Sequence, residues 1–222
     1  HTDLVRSFLS TDQKILESKD SRGANSIYYA VISRSAETLD LIMASGDTDP
    51  NEPREDRWRP IHLAVNNGDR EIVDKLLAAG ADPLALGAGN SSILHLVCSN
   101  GDAAMFDYLI EKEFPLDFNQ LRTNRWSPLM LACYIASDEI VRRLVRIDGI
   151  EFHHSDKEGW AAIHLACRYG GYVTLNELLN TGKIDLKAKI NNGWAPLHFA
   201  CRYMDESAVE RLLREDVNIN ES

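Results

Sequence analysis

The sequence lacks most of what a catalytic or membrane protein displays. None of its apolar runs approaches the ~18 consecutive residues of a membrane-spanning helix. No CxxC pair is present to mark a zinc ribbon or a redox dithiol. No Gly-rich phosphate loop, dinucleotide fingerprint or GxSxG elbow occurs, and no catalytic constellation emerges. Positive charge is scarce, with 24 Lys and Arg against 34 Asp and Glu and a net charge of −10. A nucleic-acid-binding surface is basic, so none is expected. The polar start, His1-Thr2-Asp3, carries neither an initiator Met nor a signal-peptide pattern. It reads as a fragment attached to further domains.

What the chain has is a period. "PLHFA" at 196–200 matches "AIHLA" at 162–166, "PLMLA" at 128–132, "ILHLV" at 93–97 and "PIHLA" at 60–64, with "SIYYA" at 26–30 as a weaker copy. The steps are 34, 34, 35, 33 and 34 residues. Each match is followed by apolar residues at i, i+3 and i+4, such as Ile72-Val73 with Leu76-Leu77 and Ile140-Val141 with Leu144-Val145. That spacing is one face of an amphipathic helix. Pro60, Pro128 and Pro196 open the first helix of their units, where a missing N–H costs nothing. Gly68, Gly101 and Gly170 fall between the helices, where a left-handed cap is useful. Each unit therefore reads as helix, tight turn, helix and a loop rich in Gly, Asp and Asn. With 44% apolar residues the chain can bury a substantial core.

"RPIHLAVNNGDREIVDKLLAAGADP" at 59–83 and "GWAPLHFACRY" at 193–203 carry a resemblance to the ankyrin-repeat family. The resemblance covers nearly the whole chain. It implies an all-α ankyrin-repeat solenoid of stacked antiparallel helix pairs with projecting hairpin-like loops, and a concave binding face. The units run approximately over 20–53, 54–86, 87–121, 122–155, 156–189 and 190–222, in a single domain spanning 1–222. Residues 3–10 read as a partial repeat or a capping helix, and "DVNINES" at 216–222 stops where a further finger would begin. The family's Thr before Pro is absent throughout; Asn25, Arg59, Ser92, Ser127, Ala161 and Ala195 stand there. Arg34, Ala136 and Met204 replace the inter-helix Gly, which predicts strained or altered turns.

His and Cys recur three apart, as His95 with Cys98, His164 with Cys167, and His198 with Cys201. A Cys–His pair is a candidate nucleophile site, but three copies of one dyad are an improbable machine. In the family this His is structural, and His62, His95, His164 and His198 are read so. Cys98, Cys133, Cys167 and Cys201 share one register. Helices packed ~8–10 Å apart are too distant for a disulfide, which needs Cα atoms within ~7 Å. All four are expected to be reduced and shielded in the fold, which places the chain in the cytoplasm. His153-His154 lies in a loop and is read as solvated rather than metal-binding. No metal, cofactor or enzymatic activity is expected.

The binding chemistry concentrates late in the chain. Trp58, Trp126, Trp160 and Trp194 are the only tryptophans and share one register on the fingers. Each either packs on its neighbouring finger or contacts a partner. At the end of the first helix the early units offer Ile32-Ser33, Val65-Asn66-Asn67 and Ser99-Asn100. The late units offer Tyr134-Ile135, Arg168-Tyr169 and Arg202-Tyr203, with Arg125 near the fingers. Trp, Tyr and Arg dominate interface hot spots. The candidate partner-binding residues are thus Trp126, Tyr134, Trp160, Arg168, Tyr169, Trp194, Arg202 and Tyr203. The expected function is a protein-interaction module, part of a larger scaffold or regulatory protein, that holds an acidic and apolar protein or peptide segment in the concave groove. The alternatives are a small-ligand or nucleotide-binding regulatory domain, in which Trp stacks a base and Arg grips phosphate, and the targeting domain of an enzyme whose catalytic part lies elsewhere.

Overall fold

The computed structural model describes the backbone of residues 18–45 and 48–220 and side chains as far as Glu215. The stretch 3–10 lies outside the described residues. Among the described residues there are twelve α-helices, one 3-10 turn and no strand. The helices alternate between two kinds. First helices carry the repeated motif: α1 (Ser26–Ile32), α3 (Pro60–Asn66), α5 (Ile93–Asn100), α7 (Pro128–Tyr134), α9 (Ala162–Tyr169) and α11 (Pro196–Tyr203). Second helices follow them: α2 (Ala36–Ala44), α4 (Arg70–Ala78), α6 (Ala103–Glu111), α8 (Asp138–Leu144), α10 (Tyr172–Leu179) and α12 (Glu206–Asn220).

The chain divides into two compact units, residues 1–97 with 107–116 and residues 98–106 with 117–222. In the first, α1 packs on α3 and α2 on α4. Ile27, Val31, Leu39, Ile61, Ile72, Val73 and Leu76 are all buried there. In the second, α7, α9 and α11 form one row and α8, α10 and α12 another. Its core holds Leu129, Ile140, Val141, Leu144, Ile163, Leu165, Leu175, Leu178 and Phe199. Each such side chain contributes ~1.5–3 kcal/mol by leaving water. Helices of seven to nine residues are too short to persist alone, so this burial holds them.

The missing family Thr is replaced in two ways. Asn25 and Ser127 still cap, accepting the N–H of Tyr28 at 3.0 Å and of Met130 at 3.2 Å. Arg59, Ala161 and Ala195 provide no side-chain cap. There the histidine three residues on turns back, and its Nδ1 accepts the cap residue's own N–H, at 3.1 Å for His62, 3.1 Å for His164 and 3.0 Å for His198. The other ring nitrogen is then the protonated one. Nε2 of His62 donates to the Ala85 carbonyl at 3.0 Å, and Nε2 of His164 to Ala188 at 3.1 Å, each in the loop that leads into the following finger. Both nitrogens are spent on backbone, so neither ring can serve as a general base. Burial depresses the pKa of His62 to about 4 and lowers that of His164.

The turns between paired helices follow the inter-helix residue. Gly68 and Gly101 are left-handed, at φ 71° and 69°. Arg34 and Ala136 adopt the same conformation, at φ 53° and 58°, where a Cβ is strained. Gly170 departs from the expected left-handed cap. Its φ is −71° and ψ −165°, and Met204 in the same register is also extended, at φ −114° and ψ 171°. In these two repeats the first helix ends on Tyr169 and Tyr203 and has eight residues, as α5 does, one more than α1, α3 and α7. A Cβ at Gly170 would meet the Ala166 carbonyl oxygen at 2.6 Å, so this turn accepts glycine for lack of space rather than for handedness.

The last helix also differs from expectation, because α12 continues to Asn220 through the stretch read as the approach to a new finger. Gly149 and Gly182, at φ 81° and 64°, follow α8 and α10 closely. Asp216 stands at the register of Gly182, and no glycine or proline stops the helix. The cysteines are all free; Cys98, Cys133 and Cys167 are buried. Burial pushes all three thiols up, that of Cys167 to about 12. Cys201 is exposed, contrary to the expectation of four shielded thiols. No further repeat packs against α11 among the described residues.

Three outcomes are expected. Ala136→Gly should raise stability by ~1 kcal/mol in denaturant unfolding, because it relieves a left-handed Cβ. Cys201 should react with a thiol reagent at the rate of a free surface thiol while the other three react only on unfolding; Cys201→Ser should remove the fast phase. The third concerns pH. The unfolded chain protonates its histidines near the ordinary value of 6.5 and folded His62 only near 4. Stability is therefore full above about 6.5 and falls as pH drops towards 4, by a few kcal/mol at most for this residue. Unfolding free energies measured across that window should show the slope, and His62→Gln should flatten it.

Candidate functional site

The sequence's eight candidate residues all belong to the second unit, and the structure joins them in one connected set. The fingers come first. Each tip is a tight turn whose last residue before Trp has positive φ: Arg57 at 65°, Arg125 at 67°, Gly159 at 84° and Gly193 at 86°. An Asp or Asn side chain accepts the Trp N–H: Asp56 for Trp58, Asn124 for Trp126, Asp156 for Trp160 and Asn192 for Trp194, at 2.9–3.2 Å. Backbone bonds from Arg122 to the Trp126 carbonyl, from Asp156 to Trp160 and from Ile190 to Trp194 close the three late fingers at 3.0–3.1 Å. The Trp residues are thus fixed on rigid turns and half-buried. Trp126 donates its indole N–H to Asp156 on the next finger at 3.0 Å. Arg125, listed on sequence grounds among the local cations, is committed in the same way, donating through Nε to the Ser155 carbonyl at 3.0 Å.

The first helices complete the set. Trp126 meets Tyr134 edge-on at 5.3 Å, and Tyr134 meets Tyr169 edge-on at 4.8 Å. The Arg168 guanidinium lies over three rings, Tyr169 at 4.9 Å, Trp160 at 5.3 Å and Tyr203 at 5.6 Å. Arg202 lies over Tyr203 at 5.5 Å and Trp194 at 5.8 Å. The contacts therefore run without a break from Trp126 to Trp194. Tyr134, Tyr169 and Tyr203 remain 43%, 40% and 48% exposed, a large apolar area for residues at ordered positions.

One contributor escaped the sequence reading. Phe199 is buried and lies 4.9 Å from Trp160, 5.0 Å from Trp194 and 6.4 Å from Tyr203. It is the keystone under the late part of the stripe. The signal was available, since Leu63, Leu96, Leu131 and Leu165 occupy the same register, and an aromatic ring stands there only in the last repeat and, as Tyr29, in the first.

Among the described residues the early units show no comparable stripe. Arg34 donates to the Asn67 carbonyl, and Arg54 is shared between Tyr28 and Asp56. His153 and His154 do not build a metal centre: His154 pairs with Glu151 at 3.1 Å, and no three His, Cys, Asp or Glu side chains gather among the described residues. No helix of the described residues is long and apolar enough to cross a membrane.

Comparison with known proteins agrees with the repeat architecture. The family model described as ankyrin repeats (3 copies) matches three times, over residues 1–87, 61–156 and 136–222. Among curated proteins the chain is 29% identical to the chicken (Gallus gallus) nuclear factor NF-kappa-B p105 subunit over 49% of its length, and 32% identical to the Hydra vulgaris tyrosine-protein kinase HTK16 over 43%. It spans only 12% of either relative. Among solved structures, the ankyrin-repeat protein EF0377 aligns with a TM-score of 0.72 at 19% identity, covering 85% of this chain and 96% of that one. The ankyrin-repeat domain of Bcl-3 aligns with a TM-score of 0.72 at 22% identity, covering 88% and 87%. With the family model matched from end to end and the helix pairs, fingers and bridging histidines all in place, the chain belongs to the ankyrin-repeat family.

Proposed function

We propose that this chain is a protein-interaction module that holds an acidic and apolar segment of a partner protein on the stripe formed by Trp126, Tyr134, Trp160, Arg168, Tyr169, Trp194, Arg202 and Tyr203. Ankyrin repeats are in general protein–protein interaction modules without catalytic activity of their own. The observation that carries the reading is the exposure of three tyrosines already held in place by their neighbours. Ordered aromatic rings lose little entropy on binding and present a large contact area. The three rings alternate with cations, which favours acidic side chains beside apolar ones. The attachment of this chain to a larger regulatory protein in the cytoplasm belongs to the same proposal. Its support is the short span of the curated relatives that the match covers.

The test is a displayed peptide library panned against the protein, followed by calorimetry with an enriched peptide. Enriched sequences should combine Asp or Glu with Leu, Phe or Trp. Tyr169→Ala and Arg202→Ala should each weaken binding by about 2 kcal/mol, and Asn67→Ala should leave it unchanged. Arg202→Glu should be worse than Arg202→Ala, and added salt should weaken binding. Wild-type affinity in Tyr169→Ala and Trp160→Ala, with circular dichroism confirming the fold, would move the site off this face. Quenching of Trp fluorescence by nucleotides with no peptide enriched would favour the small-ligand alternative.

A further inference from the structure

Arg168 and Arg202 differ from most arginines in the chain. Arg142 pairs with Glu139 at 2.7 Å and with Glu177 at 3.0 Å. Arg143 pairs with Glu139, Arg211 with Glu215 and Arg214 with Glu210. Arg59 donates to the carbonyls of Asn51 and Leu86 at 3.0 and 3.2 Å. In a chain with 34 acidic residues such pairing is easily found. Among the described residues, the guanidiniums of Arg168 and Arg202 have no acid and no hydrogen-bond acceptor, and their recorded contacts are with rings.

This arrangement has a specific chemical consequence. A guanidinium presents two faces and an edge, and all five N–H donors lie in the plane of that edge. The rings hold the guanidinium carbons of Arg168 and Arg202 4.9–5.8 Å from their centres and supply no conventional hydrogen-bond acceptor, so the fork of donors is left for a bidentate acceptor. Both guanidinium carbons lie close to the Tyr203 ring, at 5.6 and 5.5 Å from its centre. Two like charges are thereby held around one ring with no acid between them among the described residues.

We infer that Arg168 and Arg202 form a two-pronged carboxylate clamp around Tyr203, and that it recognises a partner peptide segment carrying two acidic side chains with an apolar residue between or beside them. The inference rests on the stripe being the partner site, and it narrows the partner to a doubly acidic one. Acidic side chains two apart on an extended segment are separated by roughly 7 Å, and those four apart on a helix by ~6 Å. Either spacing, with the reach of a Glu side chain, suits two cations that share one ring. Tyr203, 48% exposed, offers the apolar residue a contact beside the two cations.

The probe is a set of short synthetic Leu- and Ala-based peptides that carry no Glu, one Glu, or two Glu at spacings from adjacent to four apart, with the two-Glu members repeated as Gln. Affinity is measured by fluorescence polarisation. The best two-Glu spacing should bind at least ~10-fold tighter than the one-Glu peptide, and its Gln counterpart should fall to the level of the peptide without Glu. Arg202→Gln should reduce the two-Glu peptide to one-Glu affinity. Arg168→Lys and Arg202→Lys keep the charge but lose the planar fork, and should keep the salt dependence while losing the preference for one spacing. Arg168 is half-buried, so thermal unfolding checks each variant; Arg202 is exposed and carries the test if Arg168 variants unfold. Equal affinity for one-Glu and two-Glu peptides, or a spacing preference that survives Arg202→Gln, would overturn the clamp. If Tyr134→Ala and Trp126→Ala still abolish binding of a library-selected peptide in that case, the stripe stands without the clamp. If those variants too bind normally, the stripe falls as well.

Discussion

Within each unit the packing of one repeat on the next is the constraint from which the rest follows. A pair of helices of seven to nine residues cannot bury its apolar face alone, and so gains its stability from neighbours. The buried histidine makes that dependence directional. His62 and His164 accept the cap residue's backbone N–H at Nδ1 and donate from Nε2 to a carbonyl in the loop that leads into the next finger. Where Arg59 and Ala161 supply no capping side chain, the ring still holds the cap residue's own N–H, and it ties down the loop before the following finger in the same act. A protonated ring would have no lone pair for the first bond, which is why the fold holds these rings neutral.

That rigid scaffold gives the late fingers and first helices their fixed relation. Trp126, Trp160 and Trp194 stand on turns closed by Asx bonds, and Phe199 fills the space beneath two of them. The turns at Gly170 and Met204 are extended, and α9 and α11 end on tyrosine just before them. The late part of the stripe thus joins a Phe in place of Leu with tyrosines at the ends of its first helices. Charge then separates its cations from the rest of the surface. On the second helices of the same unit Arg142, Arg143, Arg211 and Arg214 are paired with glutamates, whereas Arg168 and Arg202 are held by rings and keep their donors for something outside the described residues.

Comparison with curated relatives reaches only a small part of those proteins, 12–13% of their length. Ankyrin arrays share a scaffold and not a ligand. Partner chemistry is therefore a matter of this chain's own residues, of which cations lack acids and which rings lie open, rather than of what its relatives bind.

The sequence by itself determined the period, the two helices of each repeat, the register of the histidines, cysteines and tryptophans, and the change from Asn and Ser to Arg and Tyr along the first helices. These are legible because they are local: a periodic apolar face and a Pro at a helix start act within one turn of chain. The strained turns at Arg34 and Ala136 were legible for the same reason. Tertiary structure alone decided the rest. That Gly170 is extended depends on its approach to the Ala166 carbonyl, and that Cys201 is open while Cys167 is closed depends on which repeat lies against it. The joining of eight scattered side chains into one stripe depends on stacking that brings residues 34 apart in sequence into ring contact. No local pattern could show that Arg125 would be spent on Ser155 while Arg168 and Arg202 would not, because that outcome is set by which acceptors the folded neighbours place within reach.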